Sequence, residues 1–434
     1  MSKPSIGFVG LGAMGFGMAT HLVKEGYPVH GFDVFPASVE RFKAAGGIPA
    51  SSLQDSANDK DFYVCMVASA PQVQSVLFGD EGIVAALPQN ATLLLCSTVP
   101  ASYAQSVAAE LASLGRTDIS FIDAPVSGGA LRAAAGTLSI MAGAPDAALE
   151  KGRFLLQEMS DANKLYLVPG GVGAGSNMKM VHQVLAGIHI LGASEAQGFA
   201  ARLGLDAVKT AEAIKSSPAW TWMHENRLQR MLDEDWHPGA SALTIILKDV
   251  GIITTSARQS QFPTPLCSTA EQVYLSALLQ GYGPVDDSSM VRQYFAEPIT
   301  KVESTKSEEE TAEALQLVLD LMEVTNLVAA AEAISFARYL KVDLKQFYTL
   351  VGDAAGASRQ FMTKGLEIIE GLGQDVNGET VDGATSRLEK AVQKARDLHC
   401  PLNLGNAALS VLFMAKKSGL GAEGSASVVK AFEN

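Results

Sequence analysis

Residues 5–15 read Ser-Ile-Gly-Phe-Val-Gly-Leu-Gly-Ala-Met-Gly, a short apolar run that leads into three spaced glycines. The run Ser5–Val9 predicts a buried strand, and the residues from Gly15 to about Gly26 predict a following helix. In this context Gly10 allows a tight turn, Gly12 lets a ligand approach the backbone, and Gly15 lets helix and strand pack closely. The stretch therefore predicts the opening strand, turn and helix of a doubly wound α/β domain.

The same turn predicts a dinucleotide site, because the amides and positive potential of a helix N-terminus bind a pyrophosphate without a lysine. The next predicted strand, Pro28–Phe32, ends at Asp33, 18 residues after Gly15 and close to the usual position of a ribose-binding carboxylate. We expect NAD rather than NADP, which would require Arg41 or Lys43 to reach its extra phosphate. The alternative is a plain turn in which Asp33 only caps the next helix. The predicted cofactor residues here are Gly10, Leu11, Gly12, Ala13, Met14, Gly15 and Asp33.

The 434 residues exceed what one hydrophobic core usually organises, so two or three domains are expected. Up to about Leu167, apolar runs alternate with helical segments, which predicts βαβ units and a parallel sheet. After Gly175 the chain becomes rich in Ala and Leu with helical periodicity, as in Asn177–Leu203. The predicted fold is α/β plus all-α. Its predicted domains are a Rossmann-type domain (1–172), a helical substrate domain (173–296), a linker (297–310) and a second helical domain (311–434).

The second helical domain is predicted to be a degenerate copy of the first. Aligning Glu195 with Glu332 pairs Ala-Ser-Glu-Ala-Gln-Gly-Phe-Ala with Ala-Ala-Glu-Ala-Ile-Ser-Phe-Ala. The offset of 137 to 138 residues also pairs Asp206 with Asp343 and Pro263 with Pro401, although Ala-rich helices can resemble one another by chance. At this offset the copy has Gln316 and Ser386 where the first domain has Lys179 and Lys248.

Composition excludes several classes of partner. The net charge of −13 and the absence of any Lys/Arg-rich run oppose binding to nucleic acid or anionic lipid. With 47% hydrophobic and 18% charged residues the chain is typical of a packed globular protein, and no apolar run in the sequence is long enough to span a bilayer. The four cysteines lie far apart without zinc-type spacing, so we expect reduced packing residues and no metal. Since the first strand follows the start of the sequence without a secretory-type apolar region, we expect a cytoplasmic location.

Two later motifs carry polar groups that suit a small acid. The run 123–129, Asp-Ala-Pro-Val-Ser-Gly-Gly, ends a predicted strand and places the Ser127 hydroxyl beside the exposed amides of Gly128 and Gly129. Such a loop can hold a carboxylate. About fifty residues later, Gly-Ala-Gly-Ser-Asn-Met-Lys at 173–179 presents Lys179 on a helix, where it could serve as an acid or base. The alternatives are a helix-capping Ser127 and a solvated surface lysine.

Taken with Leu247-Lys248-Asp249 and Asp287-Ser288-Ser289, these motifs resemble, in order, those of the β-hydroxyacid dehydrogenase family. Relatives are 3-hydroxyisobutyrate and 6-phosphogluconate dehydrogenases, and the resemblance spans roughly residues 5–296. It implies that Ser127, Gly128 and Gly129 anchor the substrate carboxylate and that Lys179 is the catalytic acid/base. It further implies that Lys248 fixes substrate or cofactor and that Met66, Val67 and Thr98 line the cofactor site, with Thr98 beside the nicotinamide.

The chain departs from the common family pattern just after the lysine, where many relatives carry two asparagines and this chain has His182 and Gln183. Gln183 lies one helical turn beyond Lys179 on the same face, so its longer amide could read an additional hydroxyl. The run 179–190 looks like that of the L-threonate dehydrogenase subgroup, which implies oxidation of a four-carbon sugar acid at C2. Other acids remain open: 3-hydroxyisobutyrate, glycerate or tartronate semialdehyde, and 6-phosphogluconate.

Two competing interpretations differ in class. A related imine reductase would use NADP and generally hold another residue at the lysine position, so Lys179 and Asp33 argue against it. A noncatalytic NAD-binding sensor or structural protein is the second alternative, suggested by the degenerate copy. Because family members commonly assemble through their helical domains, the copy is expected to replace a partner subunit. The expected state is a monomer with intrachain pseudo-dimer packing or a homodimer.

Overall fold

A six-stranded, fully parallel sheet forms from the first 123 residues, in the strand order β3-β2-β1-β4-β5-β6. This is the order of the doubly wound dinucleotide-binding fold. A smaller three-stranded sheet, β7-β8-β9, follows, with β7 antiparallel and β9 parallel to β8. The strands are β1 (Ile6–Val9), β2 (Val29–Phe32), β3 (Ile48–Pro49), β4 (Phe62–Cys65), β5 (Thr92–Leu95), β6 (Ser120–Asp123), β7 (Val126–Ser127), β8 (Leu138–Ala142) and β9 (Ser160–Leu167).

The computed structural model describes residues 3–236, 241–371 and 378–433. The chain divides into two compact units, Met1–Lys179 and Met180–Asn434, with the division inside one long helix. The α/β plus all-α prediction is confirmed, while the bounds of the four predicted segments stay predictions. Among the residues so described, no helix is both long and apolar enough to cross a membrane.

The first unit has a hydrophobic core on each face of its large sheet, because successive side chains of a strand alternate between the two faces. Leu94 faces one buried cluster, and its neighbours Leu93 and Leu95 face the other. Successive side chains of a strand point to opposite faces, so a continuous apolar strand is the signature of a sheet covered on both sides. The covering helices are α1 (Gly15–Lys24), α2 (Pro36–Ala44), α3 (Ala70–Phe78), α4 (Ala101–Ser113), α5 (Gly129–Ala134) and α6 (Asp146–Met159).

Helices make up nearly all the regular structure that follows. The predicted helix 177–203 is observed as α7 (Ala174–Arg202). Helix α12 begins at Glu308, within the predicted linker 297–310, where Ser307 and Glu310 form a capping box. The remaining helices are α8 (Ala207–Ser216), α9 (Trp222–Asp233), α10 (Leu243–Ser260), α11 (Pro265–Leu279), α12 (Glu308–Tyr339), α13 (Leu344–Gly352), α14 (Leu366–Glu370, preceded by a π-helical turn at Phe361–Gly365), α15 (Val381–Asp397) and α16 (Asn403–Lys417).

The helices of the second unit repeat in order. Each of the helices α12 to α16 ends 136 to 138 residues after its counterpart among α7 to α11, close to the predicted offset of 137 to 138. For example, α7 ends at Arg202 and α12 at Tyr339. Isolated strand bridges repeat as well, since Ala242 pairs with Asp286 and Thr380 pairs with Gly424. We refer to 173–296 as the first helical copy and to 311–434 as the second helical copy.

The two copies contact each other reciprocally. Glu195 of α7 accepts the amides of Leu404 and Gly405 at the start of α16, at 3.1 and 3.0 Å. Its counterpart Glu332 of α12 accepts the equivalent amides of Leu266 and Cys267 at the start of α11, at 2.8 and 2.9 Å. Such an exchange of equivalent contacts is what an isologous dimer interface shows, here within one chain.

A second set of exchanged contacts lies where Thr221 forms an antiparallel bridge with Ser358, its counterpart 137 residues later. Around this bridge Trp222 donates its amide to the Ala357 carbonyl at 2.9 Å, and Arg359 donates to the Trp220 carbonyl at 3.1 Å. Each bond is the image of the other when the two copies are exchanged. A local two-fold relation therefore passes through this bridge.

Candidate active site

The glycine turn has the geometry that a bound dinucleotide requires. Gly10 has φ +92°, and a Cβ there would lie 2.1 Å from the Met66 carbonyl oxygen, while a Cβ at Gly15 would lie 1.9 Å from the Gly10 oxygen. Both positions therefore exclude a side chain. Gly12 and Ala13 are exposed, and a Cβ on Gly12 would meet nothing within 4 Å. The loop backbone is thus open to a ligand at the start of α1, which fits a pyrophosphate.

Asp33 holds this loop as well as ending β2. Its carboxylate accepts the Leu11 amide at 2.6 Å and the Phe35 amide at 2.9 Å. A carboxylate has about four acceptor positions, so ribose hydroxyls can still donate to it. Arg41 already lies on the same loop, with its guanidinium 3.1 Å from the Leu11 carbonyl and stacked over Phe16. Arg41, one of the two cations that an NADP phosphate would require, thus lies beside this loop.

The other predicted cofactor residues lie after strands β4 and β5. Met66 and Val67 follow β4, Thr98 follows β5, and all three are partly buried. The Val67 amide donates to the Ser97 hydroxyl at 2.9 Å, which ties the two strand ends together. In doubly wound sheets, ligands bind at the carboxyl ends of the strands where the strand order reverses, and β1 and β4 flank that point here.

The predicted carboxylate-binding loop spans the end of β7 and the start of α5. Gly128 and Gly129 are exposed and have φ of +141° and +74°, a region that favours glycine. Ser127 is partly buried on β7. The loop therefore presents a hydroxyl beside two uncovered backbone segments, as the sequence predicted, while its substrate role stays a prediction.

The buried Asp123 at the end of β6 anchors the start of α7. Its carboxylate accepts the amides of Gly173 and Ser176 at 3.1 and 2.8 Å, and the Ser176 hydroxyl at 2.6 Å. Burial raises the pKa of Asp123 to about 6, although these hydrogen bonds oppose the shift. A Cβ on Gly175 would lie 2.2 Å from the Met141 carbonyl, so the helix starts directly against β8. Sequence analysis missed this anchor.

Lys179 lies in the second turn of α7 and is only 5% exposed. A solvated surface lysine would be largely exposed, so that alternative does not describe this side chain. The anchor at Ser176 fixes the helix three residues before it. Burial on a fixed helix is what an acid/base lysine requires, and its catalytic role remains a proposal.

Polar groups of the second unit surround Gln183. Its amide nitrogen donates to Asp249 at 2.6 Å, and Asp249 forms an ion pair with Lys248 at 3.0 Å. His182 is fully buried, and its Nδ1 lies 3.1 Å from the Gln183 amide oxygen. The structure thus brings the predicted residues Gln183 and Lys248 together through Asp249, whose part the sequence analysis did not predict.

Comparison with known proteins identifies the family. Residues 5–170 match the NAD binding domain of 6-phosphogluconate dehydrogenase, and residues 173–294 match the NAD-binding domain of NADP-dependent 3-hydroxyisobutyrate dehydrogenase. An L-threonate dehydrogenase of Cupriavidus necator is 38% identical over 288 residues, which are 66% of this chain and 95% of that protein. This chain belongs to the β-hydroxyacid dehydrogenase family. It is therefore an NAD-dependent dehydrogenase by descent.

Solved structures of similar proteins differ in how much of this chain they cover. A structure of Salmonella typhimurium described as 3-hydroxyisobutyrate dehydrogenase is 35% identical with a TM-score of 0.62, covering 67% of this chain and 100% of its own. The 6-phosphogluconate dehydrogenase of Plasmodium falciparum covers 95% of this chain and 92% of its own, with a TM-score of 0.67 at 14% identity. The second likeness concerns the fold alone, and it extends across both helical copies.

In this dehydrogenase the second helical copy has different polar side chains at the positions of Lys179, Gln183 and Asp249, and they pair with one another. Gln316, the counterpart of Lys179, donates to Asp320, the counterpart of Gln183, at 2.8 Å. Arg387 stands at the position of Asp249 and pairs with Asp320 at 2.9 Å, and also with Glu323 and Glu379. Because these groups satisfy one another, the second copy retains neither the lysine nor the arrangement around it.

Changing Asp33→Ala should shift cofactor preference. The substitution removes the carboxylate that is expected to accept ribose hydroxyls and to repel a 2′-phosphate, and it leaves Arg41 in place on the loop. We expect the NAD-to-NADP ratio of kcat/KM to fall by about 10- to 100-fold, since a hydrogen bond to a charged group is worth about 1.5–3 kcal/mol. Asp146→Ala, which removes an exposed carboxylate of the same unit, should leave the ratio unchanged. An unaltered ratio in Asp33→Ala would remove Asp33 from cofactor selection.

Proposed function

We propose that this protein oxidises L-threonate, or a closely related four-carbon sugar acid, at C2 with NAD. The observation that carries the proposal is the fixed amide of Gln183 one helical turn beyond the buried Lys179. An amide at this position can hydrogen-bond a hydroxyl that simpler hydroxy acids lack. Similarity to an L-threonate dehydrogenase over two thirds of the chain supports the same substrate class.

The residues have distinct roles in this proposal. The Ser127 hydroxyl and the backbone of Gly128 and Gly129 bind the substrate carboxylate, and Lys248 fixes substrate or cofactor. Lys179 accepts the proton of the C2 hydroxyl during oxidation and returns it during reduction. NAD, when bound, supplies the hydride acceptor. Thr98 lies beside the nicotinamide in this arrangement.

The test is NADH production by the purified protein with NAD across a panel of acids: L- and D-threonate, D- and L-erythronate, D-glycerate, 3-hydroxyisobutyrate and 6-phosphogluconate. The highest kcat/KM with L-threonate is the expected result. Preference for another acid would refute the substrate and keep the chemistry. No turnover with any of them would favour the noncatalytic NAD-binding alternative.

We further propose that the second helical copy takes the place of a partner subunit, so that each chain carries one active site. The reciprocal contacts of Glu195 and Glu332 support this proposal, because each glutamate accepts helix-start amides of the opposite copy. In a dimer such contacts would lie between two subunits. Sedimentation equilibrium should then give the mass of a single chain, 45.6 kDa. A dimer joined through the α11 face of the first copy would contradict it.

A further inference from the structure

A turn of the second helical copy lies directly against the helix that carries Gln183. The amide of Gly356 donates to Nε2 of His182 at 3.2 Å, and both residues are buried. A Cβ on Gly356 would lie 3.2 Å from the Leu185 Cβ and 3.3 Å from the His182 Cδ2. A side chain at residue 356 would therefore be in tight contact with α7 and would require its neighbours to shift by a few tenths of an ångström.

This hydrogen bond determines where the His182 proton resides. A ring nitrogen that accepts an amide hydrogen carries no proton itself, so Nε2 is unprotonated and the proton of the neutral ring is on Nδ1. Nδ1 lies 3.1 Å from the side-chain oxygen of Gln183. His182 is thus the donor and the Gln183 oxygen is the acceptor.

The orientation of the Gln183 amide follows from its two neighbours. With its oxygen towards His182, its nitrogen faces the Asp249 carboxylate and donates at 2.6 Å. The flipped amide would place two donors against each other at His182 and two acceptors against each other at Asp249. The contacts therefore favour one orientation, and that orientation begins at the Gly356 amide of the other copy.

We propose that the second helical copy sets substrate selectivity through this chain of hydrogen bonds: Gly356 holds His182, and His182 holds the Gln183 amide in the orientation that reads the additional substrate hydroxyls. The inference rests on the proposed function, because it takes Gln183 as the group that contacts the sugar acid. His182 and Gly356 are positioning residues in it. The second copy then contributes to recognition as well as to packing.

Two substitutions of His182 separate the two bonds. In His182→Asn the amide nitrogen replaces Nδ1 and can still donate to Gln183. In His182→Gln the amide oxygen replaces Nε2, so it can accept from the Gly356 amide but leaves no donor for Gln183. The readout is the ratio of kcat/KM for L-threonate to that for 2-hydroxybutyrate of the same C2 configuration, which lacks the C3 and C4 hydroxyls. Where 2-hydroxybutyrate is not turned over, its inhibition constant against L-threonate replaces kcat/KM.

We expect His182→Gln to lower this ratio by about tenfold, the effect of losing one hydrogen bond in the recognition group. His182→Asn keeps the donor to Gln183 but loses the bond from Gly356, so it should lower the ratio by a smaller, several-fold amount. Gly356→Ala should lower the ratio several-fold although residue 356 belongs to the second copy. The matched control is Phe336→Leu, which loosens the stacking with Phe262 between the copies and should not alter the ratio.

Equal losses with both acids in His182→Gln and His182→Asn would overturn the proposal, because a purely structural histidine affects both substrates alike. If the wild-type protein turns over no hydroxy acid, the proposed function fails separately. In that case the positioning role can still be tested through the tautomer of His182. ¹⁵N spectra of histidine-labelled protein, with the His182 signals assigned by comparison with His182→Asn, should show the proton on Nδ1. A proton on Nε2 would overturn it.

Discussion

Replacing Lys179 by Ala should lower kcat by about 10²- to 10⁴-fold, the range that a positioned general acid or base contributes. The buried lysine stands on a helix whose start is fixed by Asp123, so its amino group has a defined position rather than that of a mobile surface cation. In the proposed mechanism, removing it deletes the group that accepts the hydroxyl proton. NAD is proposed to bind at the glycine turn and Asp33, so its binding should persist.

The measurement is single-turnover formation of NADH with L-threonate, alongside a fluorescence titration of NADH binding to the same variant. Lys209→Ala, an exposed lysine at the start of α8, is the matched control and should turn over like the wild type. Unchanged turnover in Lys179→Ala would remove this lysine from the mechanism. Loss of cofactor binding together with turnover would instead indicate a structural role.

The fold was largely predictable because its signals are local. The strand before Gly10, the helix after Gly15 and the carboxylate after β2 follow from a short stretch whose glycines each have a steric reason, and the structure shows two of these directly. The helix α7 was predicted at 177–203 and begins three residues earlier, at Ala174. Glycines at 170, 171, 173 and 175 lie around its first residue, which obscures the helix start in the sequence.

The groups that hold the candidate site were not predictable in the same way. Asp123 ends a strand, and nothing near it in sequence indicates that it accepts two amides and a hydroxyl about fifty residues later. The Gly356 bond to His182 joins residues 174 positions apart. Such contacts depend on how packed elements meet, which periodicity and spacing do not determine.

The aligned pair Glu195 and Glu332 was found as a repeat, yet its physical meaning appeared only with the structure. A buried glutamate in an Ala-rich helix is costly unless it is hydrogen-bonded. Each of these carboxyl groups accepts two amides at a helix start of the opposite copy, where the unpaired amides of the first turn need an acceptor. Duplication explains why the same solution occurs twice.

Replacing Glu332 by Ala should lower the free energy of unfolding by about 2–6 kcal/mol. The substitution leaves two buried amides, those of Leu266 and Cys267, without an acceptor, and each such loss costs about 1–3 kcal/mol. Glu332→Gln keeps one acceptor oxygen and presents its side-chain NH₂ to the second backbone amide. Its free energy of unfolding should therefore fall by about half as much as that of Glu332→Ala. Urea unfolding followed by circular dichroism measures both.

The pH dependence of the same variants distinguishes a buried titrating carboxyl group from a mere packing residue. Burial raises the pKa of Glu332 from 4.5 to about 8, against the opposing effect of the two amides. Between these values the folded protein holds a proton that the unfolded chain has released, so stability attributable to Glu332 falls as the pH rises from about 4.5 through 8. Glu332→Gln cannot titrate and should lose this decline.

Glu195 provides the internal comparison. Burial raises its pKa to about 7, so Glu195→Gln should remove a smaller part of the decline, confined to lower pH. A decline that persists unchanged in Glu332→Gln would mean that other groups cause it. If Glu332→Ala unfolds at the same urea concentration as the wild type, the reciprocal carboxylate contacts do not stabilise the packing of the two copies. A pseudo-dimer would then have to be held by its apolar contacts and by the backbone hydrogen bonds around the Thr221–Ser358 bridge.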